Sequence, residues 1–115
     1  MKVAISSTGN RPQDLIHSQF GRCKYFLIFE DSSEKVKVIE NPYAEAETGA
    51  GIGCAQDLIQ EGVKAVISVQ VGPKAYEVLN AVDIEIYLAP PNVSVQDAYE
   101  KFLSKKLRKM EIKMF

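Results

Sequence analysis

The segment Ala65-Val66-Ile67-Ser68-Val69 offers almost no polar side chain to water. A strand of this kind has to be covered on both faces, which is the situation inside a parallel sheet with helices above and below it. The flanking sequence agrees. From about Gly51 the apolar residues Ile52, Ala55, Leu58 and Ile59 recur at helical spacing up to a stop at Gly62. After the buried strand, Gly72-Pro73 opens a second helix with Ala75, Tyr76 and Leu79 on its inner face, Pro being preset for the first helical position. Ile84-Glu85-Ile86-Tyr87-Leu88 reads as the last strand. Beyond Pro90-Pro91, the capped start Ser94-Val95-Gln96-Asp97 predicts a third helix burying Val95, Ala98, Tyr99, Phe102 and Leu103.

The amino-terminal part is richer in strands. Lys2 to Ser6 reads as a short buried strand, and Tyr25 to Glu30 as a second. Lys35 to Glu40 alternates polar and apolar residues, so it predicts a half-exposed third strand returning through the turn Asp31-Ser32-Ser33-Glu34. Residues 7–22 show no sustained apolar period and contain Gly9, Pro12 and Gly21, which predicts a long, mobile loop with few core residues. The order β-β-β-α-β-α-β-α predicts one α/β domain over residues 1–115. Its expected form is ribonuclease H-like: a five-stranded mixed sheet in the order 3-2-1-4-5, strand 2 antiparallel, with three helices. The first and fourth strands are then parallel neighbours whose outgoing connections diverge. A crevice is expected at their carboxyl ends.

Composition narrows the function classes. At 115 residues, with 46% hydrophobic and 25% charged residues, the chain has the make-up of an ordinary globular protein with one core. No apolar run approaches the roughly 18 residues of a membrane span. Met1-Lys2 leads straight into Val3-Ala4-Ile5 with none of the organisation of a signal peptide, so a cytoplasmic protein without membrane attachment is expected. Two cysteines are too few for a disulfide scaffold. Positive charge gathers at Lys105, Lys106, Arg108 and Lys109, which a third helix would carry in its last turns as complements to its dipole. A nucleic-acid binder would show a basic excess throughout, whereas the formal net charge is -1.

Two stretches suggest chemistry. Gly49-Ala50-Gly51-Ile52-Gly53 precedes a helix, where residues lacking bulk let backbone N–H groups approach an anion. Gly72-Pro73-Lys74 makes a second helix start at the same edge of the sheet and adds a cation. Ser6, Ser7 and Gly9, at the exit of the first strand, face that edge too. A ribonuclease H-like nuclease would need clustered carboxylates starting on the first strand, and Lys2-Val3-Ala4-Ile5-Ser6-Ser7 has none. No catalytic residue is therefore assigned. His17, Cys23 and Cys54 are the candidate metal ligands, being the only soft or borderline donors apart from the methionines. Cys54, in the first turn of a helix, is expected to have a lowered thiol pKa.

Ser18-Gln19-Phe20-Gly21-Arg22, Tyr25-Phe26-Leu27-Ile28, Glu40-Asn41-Pro42, Gly49-Ala50-Gly51, Gly72-Pro73-Lys74-Ala75 and Ile84-Glu85-Ile86-Tyr87 occur in order. In spacing as well as order, the chain over residues 2–105 resembles the dinitrogenase iron-molybdenum cofactor biosynthesis family, to which the NifX-like carriers belong. The resemblance implies a ribonuclease H-like fold and a non-enzymatic role in binding and transferring anionic iron-sulfur or iron-molybdenum clusters. A donor or acceptor protein of cofactor assembly is the implied partner. It also adds Gln19, Phe20, Gly21 and Arg22 to the ligand-binding residues. Many members read His-Phe-Gly-Arg where this chain has Gln19, so ligation here would fall to His17 or Cys23. The alternative is a regulatory or interaction module that takes a phosphate-bearing metabolite or a protein in the same crevice.

Overall fold

A computed structural model describes residues 1–31 and 33–112; Ser32 of the expected turn and the last three residues lie outside that range. The chain runs β1 (Lys2–Ser7), β2 (Tyr25–Glu30), β3 (Lys37–Glu40), α1 (Ala50–Gln60), β4 (Ala65–Ser68), α2 (Pro73–Asn80), β5 (Glu85–Leu88), α3 (Val95–Leu103) and β6 (Arg108–Lys109). These strands form one mixed sheet in the order β3-β2-β1-β4-β5-β6. β1, β4 and β5 are parallel, with Val3 opposite Ala65, Ile5 opposite Ile67 and Tyr87 opposite Ile67. β2 is antiparallel to both β1 and β3.

Strand alternation divides the core in two. Ala4, Phe26, Ile28, Val66 and Ile86 point to one face, where Ala55, Leu58, Ala75 and Leu79 of α1 and α2 cover them. Val3, Ile5, Leu27, Phe29 and Ile67 point to the other, under Val95, Ala98 and Tyr99 of α3. The stack of Phe29 on Tyr99, with ring centroids 4.3 Å apart, closes that layer. All four residues of β4 are buried, as its apolar run demands. Among the described residues no helix is long and apolar enough to cross a membrane.

Two expectations need correction. Among the described residues the sheet has six strands rather than five, and the third helix does not extend through the basic cluster. α3 stops at Leu103 because Lys105 takes a left-handed conformation, φ 59°. Lys106 N–H then reaches Lys101 O at 2.9 Å and Lys105 N–H reaches Phe102 O at 3.0 Å, the paired closure that ends a helix by reversing its last turn. The released chain supplies β5 with an antiparallel neighbour: Leu88 pairs with Arg108, Tyr87 with Lys109, and Met110 N–H bonds Ile86 O at 2.7 Å. An edge with unmet backbone groups outweighs continuation of the helix into the basic run of Lys105, Lys106, Arg108 and Lys109.

The loop after β1 is also less free than its composition implies. Ile16 and Phe20 are buried, at 5% and 2% exposure. Its backbone is tied at Ile16 N–H to Val93 O (2.9 Å), His17 N–H to Ser6 O (3.0 Å) and Phe20 N–H to Gln70 O (3.0 Å). Irregular backbone buries side chains without any period, so periodicity cannot find them.

Candidate functional site

The carboxyl ends of β1 and β4 lie side by side, and the loops leaving them are joined through the bond from Phe20 to Gln70. α1 begins beside them at Gly49, whose φ of 75° and lack of a side chain let the chain turn into the helix. Neither α1 nor α2 has a side-chain cap, so the first-turn N–H groups of Ala50, Gly51 and Ile52, and of Lys74 and Ala75, have no carbonyl of their own helix to bond. Both helix starts line one cavity of about 550 Å³. Gln19, Phe20, Gly21 and Arg22 form one wall, Gly49 and Gly51 a second, and Gly72 and Lys74 a third. Lys74 is exposed and makes no ion pair among the described residues, which leaves its ammonium available to a ligand.

Close approach accounts for Gly21 and Gly51. A side chain at Gly21 would sit 2.9 Å from Gly51 N and 3.2 Å from its Cα, so the loop rests directly on the first turn of α1. One at Gly51 would meet Ala75 Cβ at 3.3 Å, where α1 and α2 pack together. Gly72 is different, with nothing within 4 Å of an added Cβ. Gly21→Ala is therefore expected to cost about 2 kcal/mol through overpacking against backbone, while Gly72→Ala stays close to neutral; urea unfolding of the two variants checks this.

The remaining residues expected at the site stand outside the cavity. Ser6 and Ser7 are fully buried: Ser6 Oγ donates to His17 O at 3.0 Å and lies 2.8 Å from Ser68 Oγ, and Ser7 Oγ donates to Gly9 O at 2.7 Å. A side chain at Gly9 would run into the Asp14 carboxylate, and one at Gly53 would come within 2.7 Å of the Tyr43 ring. His17 turns its Nδ1 back to the Gln19 backbone, accepting from Gln19 N–H at 3.0 Å.

Cys23 and Cys54 lie in the core, 0% and 1% exposed. Their thiols donate to Phe20 O at 3.4 Å and to Asn41 Oδ1 at 3.1 Å. Burial, reinforced by the charge of Asp57, pushes the Cys54 thiol up to about 12, and burial together with the nearby Cys54 raises Cys23 as well. The lowered pKa expected for Cys54 is thus reversed. Desolvation of a thiolate outweighs the pull of a helix terminus.

Sequence reasoning missed residues of two kinds. Glu47, Thr48 and Gln70 also line the cavity, and the only signal for them was position, in the glycine-rich segment or just past β4. Asn41 is the other. It is buried, and its Nδ2 donates to Cys23 O at 2.8 Å and Gly21 O at 3.1 Å, while its Oδ1 accepts from Tyr43 N–H at 2.9 Å and from the Cys54 thiol. It ties the loop after β1 to the segment that leads into α1. Arg22 does the same from outside, its Nη1 donating to the carbonyls of Ala44 and Ala46.

This arrangement can be compared with known proteins. The sequence pattern of the dinitrogenase iron-molybdenum cofactor family matches residues 1–105. The chain belongs to that family. An uncharacterized protein of Methanocaldococcus jannaschii is 34% identical over 114 residues, which is 96% of this chain and 92% of that one. The apo form of the orange protein from Desulfovibrio gigas has the same fold, with a TM-score of 0.90 at 25% identity, over 95% of this chain and 92% of the other. A Thermotoga protein described as a candidate NifB protein follows at a TM-score of 0.82 and 31% identity, covering 94% and 91%. Membership in the family fits a cofactor-binding or carrier role in general.

Proposed function

We propose that this family member is a non-enzymatic, cytoplasmic carrier that holds an anionic metal cluster of the iron-sulfur or iron-molybdenum kind in the cavity at the carboxyl ends of β1 and β4. It would receive the cluster from, or deliver it to, a protein of cofactor assembly. The observation that carries this reading is the convergence of two uncapped helix starts and of Lys74, unpaired among the described residues, on one open cavity of about 550 Å³. Backbone N–H groups and a cation together favour a compact anion.

No group of three His, Cys, Asp or Glu side chains able to hold a metal ion occurs among the described residues. A cluster entering this cavity would therefore keep its own ligands and be bound as a whole anion. His17, Cys23 and Cys54 would support it only indirectly, the histidine by shaping the loop at Gln19 and the thiols by packing beneath it.

Anaerobic titration with isolated iron-molybdenum cofactor, followed by visible absorption, tests the proposal. Lys74→Glu is expected to weaken binding by tenfold or more, since a charge-assisted contact is worth about 1.5 to 3 kcal/mol and here becomes a repulsion. Gly72→Val should weaken it without loss of stability, because its side chain enters open space at the helix start. Replacement of His17, Cys23 and Cys54 by alanine should weaken binding per folded molecule much less than Lys74→Glu does. If the lysine variant bound as tightly as the parent, or a nucleotide bound where the cluster did not, the regulatory reading would take its place.

A further inference from the structure

The basic carboxyl-terminal stretch loses its simplest explanation once α3 is seen to end at Leu103. Only Lys101 lies in the last helical turn, so Lys105, Lys106, Arg108 and Lys109 do not serve as complements to a helix dipole. Their surroundings suggest another use. Tyr87, Phe102, Leu103 and Leu107 enclose, together with Lys105, a groove of about 360 Å³ on the side of the sheet covered by α3. Leu103 is 56% exposed. The Tyr87 and Phe102 rings meet edge to face with centroids 5.1 Å apart, which gives the groove a firm apolar floor.

The charges around it are unbalanced. Lys101 is paired loosely with Asp97 at 4.0 Å and Lys109 with Glu85 at 3.1 Å. Lys105, which lines the groove, and Lys106 beside it make no ion pair among the described residues. An apolar groove lined by the unpaired Lys105, with Lys106 next to it in the chain and a formal net charge of -1 overall, calls for a ligand with the opposite arrangement.

We propose that this groove is a docking surface for a partner protein, and that it takes an acidic segment carrying a leucine-like anchor. The anchor would rest on Leu103 and Phe102, and flanking carboxylates would meet Lys105 and Lys106. A concave apolar floor suits a single inserted side chain better than a lipid surface, which needs a broad protruding apolar face. The cavity opens against α1 and α2 and the groove lies on the α3 side, so partner and cargo could be held together.

The full chain, isotopically labelled for amide NMR, would be titrated to millimolar levels with a short peptide of Glu-Glu-Leu-Leu repeats. Two control peptides would replace Glu by Lys and Leu by Ser. Shifts confined to residues 101–109 and Tyr87 are expected with the first peptide, and none with either control. The affinity should fall about tenfold in the double variant Lys105→Glu/Lys106→Glu, and also on raising the salt, as screened charges require. Leu103→Ser should weaken binding while Lys74→Ala leaves it unchanged; all these positions are exposed, and thermal melting confirms that the variants fold. No shifts at millimolar peptide would overturn the proposal. So would equal binding of the serine peptide, shifts centred on the cavity, or a preference of the same surface for phosphatidylserine vesicles, oligothymidylate or a second copy of this chain.

Discussion

Asn41→Ala is expected to lower stability by about 3 kcal/mol, because it removes several buried hydrogen bonds worth about 1 kcal/mol each and strands their partners. The amide satisfies groups from three places at once: the carbonyls of Gly21 and Cys23, the Tyr43 N–H and the Cys54 thiol. Water cannot replace it at 8% exposure without opening the loop. For a domain of this size the loss corresponds to a fall in melting temperature of about 12 °C. Asn41→Asp is the sharper variant. Its carboxylate keeps the two contacts that Oδ1 accepts but turns an oxygen toward two carbonyls, so a loss as large as that of alanine is expected despite near-identical shape. Calorimetric melting of both variants checks this, and an aspartate variant as stable as the parent would show that the Nδ2 contacts contribute little. Because Gly21 lies on the first turn of α1, the same variants should also weaken cluster binding per folded molecule.

A second large effect concerns alkaline pH. Both buried thiols have folded pKa values raised above the ordinary 9.0. The folded protein therefore keeps protons that the unfolded chain has released, so the contribution of the thiols is complete below pH 9.0 and is lost as the pH rises. Each thiol should remove about 1.4 kcal/mol of stability per pH unit over this range, up to about 12 for Cys54 and higher for Cys23. With both present the slope is about twice that of either alone. Urea midpoints taken from neutral pH upward should fall steeply above this threshold. Cys23→Ala and Cys54→Ala should each start lower at neutral pH, through lost packing, and then fall less steeply. Parallel curves for parent and variants would mean that the thiols ionise in the folded state and are more accessible than their burial indicates.

The sequence alone determined the order of the elements from β1 to α3, the pairing of β1 to β5 with one another and the two-sided cover of the sheet. These follow from signals a segment carries within itself: the apolar run of β4, the helical spacing of α1, Pro73 at the start of α2 and the cap at Ser94, whose Oγ accepts from Asp97 N–H at 3.0 Å. The place of the cavity was legible for the same reason. Once β1 and β4 are parallel neighbours, the two glycine-led helix starts have to come to the same edge, and Gly49, Gly51, Gly72 and Lys74 meet there.

Tertiary structure decided what depends on the partner a residue finds far along the chain. α3 ends at Leu103 because β5 has an open edge for residues 108–109 to pair with, and no local pattern reports a missing neighbour. Ile16 and Phe20 become core residues through backbone ties to Val93 and Gln70, which no period reveals. Cys54 sits at a helix start in either view, yet what surrounds it makes it a buried thiol rather than a thiolate. Asn41 is polar and follows a strand, which on its own marks a turn; only the folded chain brings Gly21, Cys23 and Cys54 around its amide. Local periodicity encodes which face a residue presents, whereas desolvation and hydrogen-bond partnership are properties of what packs against that face.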